Sequence, residues 1–300
     1  MKAVGFIGLG NMGGRMTGCL TRAGHDVVGY DARAGLAETL GATPAASPRD
    51  VAERVDVVLM SLPDSTVVEQ VVAGDEGVLA GCRAGQIVVD LSTADPASTR
   101  TLHRSLADRG VEYVDAGISG GAAAADKGQL TLMVGGSEAA LSEIRPTLEA
   151  FASKIFHVGE SGAGHATKLL NNFLNAVALA STAEVMVAAK KAGLDLHTVL
   201  EVLNSSSGTN FATVNRFPHI IEGDYLEGGL TNTLMMKDVT LYADYVSQLG
   251  VATLNAAGPL ACFGLARALG YADQISNTVV DAIGDISGGV RLAERSIAQP

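Results

Sequence analysis

The chain has no tryptophan, and aromatic residues fill only 4% of its 300 positions. Basic residues are scarce as well: 21 lysines and arginines stand against 32 acids, a formal net charge of −11. That balance repels phosphate backbones and argues against nucleic acid as a partner. There are three cysteines, Cys19, Cys82 and Cys262, an odd number with no CxxC pair. They offer neither a disulfide framework nor metal-ligand spacing, and they fit thiols kept reduced in a cytoplasmic protein. The N-terminus runs directly into a strand pattern, so no signal peptide is expected. The one long apolar candidate for a membrane span, residues 169–189, is interrupted by Asn171, Asn172, Asn175 and Glu184, and no membrane association is expected.

What the chain has in quantity is glycine (36 residues) and apolar side chains (47%). Together with the few aromatics, they suit an α/β enzyme with many tight turns between strands and helices. The length suggests about two domains.

Residues 2–7 read as a short buried strand. It runs into Gly8-Leu9-Gly10-Asn11-Met12-Gly13 and then an apolar helix. This is GxGxxG in the strand-to-helix setting it needs. The first glycine permits the tight turn, the second lets the backbone approach a pyrophosphate, and the third allows close helix packing. N–H groups at the helix start then hold the anion. A second strand over 26–30 ends at Asp31, where an acid is placed to hold a ribose diol. Such a carboxylate favours NAD. Arg33, two residues on, could instead pair with the extra phosphate of NADP, so NADP stays open.

The alternation continues. Ser47 and Pro48 form a cap with proline at the first helical position. Strands over 55–60 and 86–91 end in Ser61-Leu62-Pro63-Asp64 and Ser92-Thr93. Ligands of open α/β sheets collect at such strand ends. Leu62, Pro63, Ser92 and Thr93 are therefore candidates to line the nicotinamide half, whereas Ser61 reads as turn chemistry. A strand over 111–115 precedes the segment Ala116-Gly117-Ile118-Ser119-Gly120-Gly121. A hydroxyl followed by two glycines can present consecutive N–H groups to a carboxylate, and it can equally be a flexible loop. Residues 130–134, 137–150 and 155–158 complete a first domain as strand, helix and strand.

Residues 163–191 read as one helix of roughly 40 Å at about 1.5 Å per residue, long enough to pass between domains. Lys168, Asn172 and Asn175 recur at i, i+4 and i+7 and share a face. Apolar residues surround them. A lysine on a nearly all-apolar helix needs a partner or a task, although a solvated lysine remains open on this stretch alone. Beyond 191 the strand signals fade. Residues 194–203, 217–221, 234–249 and 255–269 read as helices, one of them carrying Lys237 and Asp238, either a solvated pair or part of a site.

Taken in order, these stretches resemble the β-hydroxyacid dehydrogenase family, which includes 3-hydroxyisobutyrate dehydrogenase and tartronate semialdehyde reductase. They are the glycine turn, Asp90-Leu91-Ser92-Thr93 with Pro96, Ser119-Gly120-Gly121, residues 164–172 around Lys168, and Lys237-Asp238. The resemblance covers the whole chain. It implies an α/β Rossmann domain over 1–162 with a mostly parallel, doubly wound sheet, a long interdomain helix over 163–191, and an all-helical domain over 192–300 that serves substrate binding and oligomerisation. It also implies an NAD(P)-dependent oxidoreductase acting on a small 3-hydroxy acid or carboxylate-bearing aldehyde, assembled as a homodimer or homotetramer. By the same resemblance Lys168 is catalytic, Ser119, Gly120 and Gly121 bind the substrate carboxylate, and Asn172 orients the substrate. Gly8, Gly10, Asn11, Met12, Gly13, Asp31, Leu62, Pro63, Thr93 and Lys237 attend the cofactor. No metal is implied.

Two departures from the family pattern stand out. Gly117 and Ile118 replace a Pro-Val, which is expected to loosen the backbone. Leu230 follows Gly229 where the family often has phenylalanine. The alternatives are an imine reductase, made less attractive by Lys168, and a catalytically weak cofactor sensor or scaffold.

Overall fold

A computed structural model describes residues 3–226 and 228–293, so residue 2 of the first expected strand lies outside the described residues. The chain divides into two compact units, Met1–Lys168 and Leu169–Pro300, with the division inside one continuous helix.

The first unit is built on β1 (Val4–Ile7), β2 (Val27–Tyr30), β3 (Thr43–Pro44), β4 (Val57–Met60), β5 (Ile87–Asp90), β6 (Glu112–Ser119), β7 (Leu130–Gly135) and β8 (Ala152–Gly159). These form one sheet of 8 strands in the order β3-β2-β1-β4-β5-β6-β7-β8. All neighbouring pairs are parallel except β6 and β7. Strands β1, β4 and β5 are buried at every position, as strands covered by helices on both faces must be. The helices are α1 (Asn11–Arg22), α2 (Leu36–Thr39), α3 (Pro48–Arg54), α4 (Ser65–Ala73), α5 (Val78–Gly81), α6 (Pro96–Ala107), α7 (Gly121–Asp126) and α8 (Glu138–Leu148). Local caps set several of their starts: Ser47, Asp64, Asp95 and Ser137 each accept a first-turn N–H through their side chains.

One expected boundary is corrected. Residues 116–119 are not a loop after the strand but the second half of β6. Pairing with β7, from Asp115 opposite Gly135 to Ser119 opposite Thr131, extends the strand to Ser119. Gly117 is therefore not a loosened position: it pairs with Met133, and a Cβ there would lie 2.5 Å from the Cβ of Lys168. The missing side chain permits close contact instead of adding freedom.

Helix α9 (Ala163–Lys191) crosses the division. Its first turn rests directly on sheet backbone. A Cβ on Gly164 would lie 2.4 Å from the Asp115 carbonyl oxygen and 2.5 Å from that of Met133. By length and composition alone α9 could cross a bilayer. However, Ala176, Leu179, Ala180, Ala183, Met186 and Val187 are buried in the core of the second unit, as in the core helix of a globular domain.

The second unit continues with α10 (Leu196–Asn204), α11 (Phe211–Asn215), α12 (Phe217–Ile220), α13 (Asn232–Gln248), α14 (Ala257–Ala266) and α15 (Val279–Ile286). Helices α11 and α15 are additions to the elements read from sequence. A reciprocal capping box between Asn210 and Thr213 starts α11. Phe217, Met235, Val239 and Phe263 join α9 in the core, and Leu230 packs partly buried against it.

Two glycines give opposite expectations for stability. Gly164→Ala forces a methyl into sheet carbonyls and should cost about 1–3 kcal/mol or more. Gly258→Ala, in α14 with nothing near its Cβ, should be neutral or stabilise by up to about 1 kcal/mol. Thermal unfolding of the two variants beside the parent tests the ordering.

Candidate active site

In the first unit, the expected cofactor residues gather at the carboxyl ends of β1, β2, β4 and β5. The neighbours β1 and β4 are where the strand order reverses, the usual ligand crevice of such a sheet. Gly8 adopts φ +86 beside Ser61, whose carbonyl oxygen would be 2.4 Å from a Cβ at that position. A Cβ on Gly13 would lie 1.8 Å from the Gly8 carbonyl oxygen, so the glycine turn closes on itself. Helix α1 then begins at Gly10 with no side-chain cap, and Asn11 and Met12 follow in its first turn. A first turn whose cap has no side chain, at the end of a central parallel strand, is a site built for an anion. The glycine cradle thus fits the pyrophosphate of a dinucleotide.

Asp31 follows β2 at the ribose position. Its Oδ2 accepts the Leu9 N–H at 2.8 Å, which ties the acid to the glycine turn. Its Oδ1 accepts the Arg33 N–H at 2.9 Å and Arg33 Nε at 3.1 Å. Burial pushes the Asp31 carboxyl up, but hydrogen bonds from the Arg33 side chain and from the Arg33 and Leu9 backbones outweigh it and hold the pKa below the ordinary carboxylate value. Arg33 Nη2 lies 3.4 Å from where a Gly10 Cβ would sit, so the guanidinium reaches the glycine turn.

At the next strand ends, Ser92 Oγ accepts the Leu62 N–H at 2.9 Å. Asp90 Oδ1 accepts the Ser92 N–H at 2.9 Å and orients that segment. Leu62, Pro63, Ser92 and Thr93 thus belong to two adjoining turns.

Ser119 is the last residue of β6, and Gly120 (φ +129) and Gly121 (φ +68) turn into α7. Side chains two apart on a strand point to one face. Ser119 therefore faces the same way as the empty Cβ position of Gly117, which meets Lys168. Lys168 itself is buried, 9% exposed.

Beneath Lys168 lies a polar cluster that the sequence reading did not assign. The fully buried Asp115 accepts the Gly162 N–H at 2.7 Å on Oδ1 and the His165 N–H at 2.8 Å on Oδ2. The His165 ring contacts Thr99 Oγ1 at 2.7 Å and the Asp90 carbonyl oxygen at 3.3 Å. Tyr113 donates to Asp90 Oδ2 at 3.0 Å. Burial, and then the Asp90 charge, push the Tyr113 phenol well above its ordinary pKa and keep it protonated as a donor. The usable sequence signal was the run of acids at the ends of β5 and in β6, at positions where a covered strand is otherwise apolar.

In the second unit, Asn172 Nδ2 donates to Asp238 Oδ2, and both residues are buried. Lys237 Nζ lies 3.2 Å from Asp238 Oδ1, a charge contact and not an aligned hydrogen bond. Asp238 is therefore not half of a solvated pair: it is 1% exposed. Among the described residues, no group of three or more His, Cys, Asp or Glu side chains could hold a metal ion.

Two family profiles cover the chain. Residues 3–159 match the NAD-binding domain of 6-phosphogluconate dehydrogenase, and residues 162–283 match the NAD-binding region of NADP-dependent 3-hydroxyisobutyrate dehydrogenase. The 2-(hydroxymethyl)glutarate dehydrogenase of Eubacterium barkeri is 35% identical over 95% of this chain and 96% of its own length. The NAD-dependent L-serine dehydrogenase of Pseudomonas aeruginosa is 37% identical over 91% of this chain and 95% of its own. The structure of Mycobacterium tuberculosis 3-hydroxyisobutyrate dehydrogenase with L-serine superimposes with a TM-score of 0.84 at 32% identity, covering 93% of this chain and 98% of that one. With the dinucleotide cradle and both profiles in sequence order, the chain belongs to the β-hydroxyacid dehydrogenase family of NAD(P)-dependent oxidoreductases.

Proposed function

We propose that this enzyme interconverts a small 3-hydroxy acid and the matching carboxylate-bearing aldehyde, with Lys168 as its catalytic residue. The observation that carries the reading is the seating of Lys168 against Gly117, which puts the lysine beside the strand face that ends in Ser119. Two residues of strand span about 7 Å, a distance a small hydroxy acid can bridge between its carboxylate and its reacting oxygen. Relatives named for L-serine, 3-hydroxyisobutyrate and 2-(hydroxymethyl)glutarate all share that 3-hydroxy acid skeleton.

In this reading the Ser119 hydroxyl and the N–H groups of Gly120 and Gly121 hold the substrate carboxylate. Both glycines take positive φ at the turn from β6 into α7, a backbone conformation that residues with a side chain rarely adopt. Asn172 orients the reacting oxygen, and its bond to Asp238 fixes the amide rotamer. Lys168 gives a proton to that oxygen in reduction and takes it back in oxidation. The bound nicotinamide supplies hydride exchange with the substrate carbon. Gly8, Gly10, Asn11, Met12 and Gly13 hold the pyrophosphate. Leu62, Pro63 and Thr93 would flank the nicotinamide half, and Lys237 is assigned to the cofactor on the family resemblance.

NAD is the preferred cofactor in this reading, because Asp31 is ionised and tied to the glycine turn, where it repels a 2′-phosphate. We further propose a cytoplasmic homodimer or homotetramer formed through the helical unit. Exposed apolar residues there, among them Leu174, Val202, Leu249 and Leu254, support an interface. The free thiols of Cys19, Cys82 and Cys262 support a reducing compartment.

Lys168→Ala should keep its NADH affinity and lose at least about 10²-fold in kcat, the usual size for a general acid. Initial rates on a panel of 3-hydroxy acids, with cofactor binding measured separately, test this, and turnover like that of the parent would remove Lys168 from the reaction. Arg33→Ala should lower kcat/KM for NADPH by about tenfold, more than for NADH, because the guanidinium is the cation placed to meet a 2′-phosphate. Asp31→Ala should move the preference toward NADPH. Rates with the two cofactors at equal concentration measure both effects.

A further inference from the structure

In the first unit, the helix that opens the cofactor cradle also grips the helix that follows the Ser119 turn. Asn11, Arg15, Cys19 and Arg22 recur at i, i+4, i+8 and i+11 and form one stripe along α1, about 16 Å long. The stripe starts at the glycine turn and ends at the last residue of α1. It lies against the far end of α7. Arg15 Nη1 pairs with the Asp126 carboxylate, and Arg15 Nε donates to Asn11 Oδ1 at 3.3 Å. Cys19 Sγ donates to the Ala125 carbonyl oxygen at 3.2 Å. Arg22 Nη2 donates to the Asp126 carbonyl oxygen at 3.2 Å. Behind these bonds Ala125 is buried in the same core cluster as Met16 and Cys19.

An acid in the last turn of a helix has the wrong sign for the helix dipole, so Asp126 does not stabilise α7 by itself. Cations from α1 offset that: Arg15 pairs with the carboxylate, and Arg22 meets a carbonyl that a helix end leaves unpaired. The Arg15–Asp126 pair is partly exposed and adds little to the stability of the fold. Its consequence is geometric. Helix α7 is about 9 Å long, and its other end is the turn at Gly120 and Gly121. A shift of Asp126 against α1 is therefore a shift of that turn. We infer that Asp126 is a positioning residue that couples the two ligands: held by Arg15, it makes the seat of the Ser119-Gly120-Gly121 turn depend on the helix start that receives the pyrophosphate. This rests on reading that turn as the site of the substrate carboxylate. An anion in the cradle settles Asn11, then the Arg15 side chain, then the end of α7, so a carboxylate that binds second meets a turn already in place. Cofactor and substrate then bind with positive cooperativity, each tightening the other by the same factor.

Nicotinamide fluorescence reads the coupling. NADH is titrated into the full chain without and with saturating 3-hydroxyisobutyrate, two reduced partners between which no hydride can pass. The parent should bind NADH at least about fivefold more tightly with the acid present, the lower end of ordinary coupling between sites. Asp126→Asn keeps the size of the side chain and removes its charge. It should lower that ratio by about two- to fivefold, the range of an exposed ion pair, while NADH binding without the acid stays close to that of the parent. Arg15→Met should lower the ratio likewise, and the double variant should lose no more than either single one. Arg49→Met, which breaks a partly exposed pair with Glu53 on α3, should leave the ratio unchanged. A parent ratio of one would overturn the inference, without depending on any variant folding. A ratio left intact by Asp126→Asn, or lowered as much by Arg49→Met, would overturn it too. Ser119→Ala separates the inference from the reading beneath it, because that variant should need more acid to reach the same effect on NADH. If it needs no more than the parent, the carboxylate site is misplaced and the coupling falls with it. If it does need more while Asp126→Asn keeps the parent ratio, the carboxylate reading stands and the coupling alone falls.

Discussion

The bond pair between the buried carboxylate of Asp115 and the start of α9 is the constraint on which the arrangement of the first unit depends. Helix starts leave N–H groups unpaired, and they are usually met by a side chain just before the helix. Here the cap comes from a strand 47 residues away at Gly162 and 50 away at His165. The carboxylate also lies at the positive end of the helix dipole, which adds to the hydrogen bonds. Removing it would leave buried donors unmet at about 1–3 kcal/mol each. The same residue pairs through its backbone with Gly135 across β6 and β7. One side chain thus joins the antiparallel corner of the sheet to the helix that carries Lys168.

Glycine makes that join close enough. At Gly117, Gly135 and Gly164 a Cβ would overlap the helix, the Asp115 carboxylate or the sheet carbonyls. With side chains there, α9 would stand off the sheet, and the lysine would lose its position beside the Ser119 end of β6. Behind the contact, Asp90, Tyr113, Thr99 and His165 form a satisfied and fully buried polar network. Such a network sets geometry more than it adds net stability, since well-packed apolar residues could fill the same space at similar cost. Its physical effect is to leave α9 a single seating.

The parts of this arrangement that were legible in the sequence are those determined locally. The glycine turn, the cap at Ser47 and the continuous, nearly all-apolar helix of α9 are each set by neighbouring residues along the chain, and each appears in the structure at that place. The second half of β6 was not legible, because residues 116–119 contain two glycine-adjacent small residues and become strand only when β7 pairs with them. The remote cap was equally hidden: Asp115 looks like the end of a strand until α9 is folded over it. Short helices such as α11 depend on a capping box around Asn210, whose signal is weak beside the long helices. On the functional side, Lys168 and the Ser119 turn stood out as polar groups in apolar or glycine-rich stretches.

The two units differ in how freely their polar residues can change. In the first unit Gly117 and Gly164 let the first turn of α9 lie against the sheet, and Ser119 is paired with Thr131 of β7, so a bulkier residue at either glycine would disturb the elements that carry Lys168 and Ser119. In the helical unit, Arg216 and Asn172 are held mainly by side chains: Asn175, Asn277 and Asp238. A side-chain partnership can be exchanged one residue at a time, with the cost confined to the pair. The position of Lys168, by contrast, is tied to close approaches at Gly117 and Gly164 that leave no room for a Cβ.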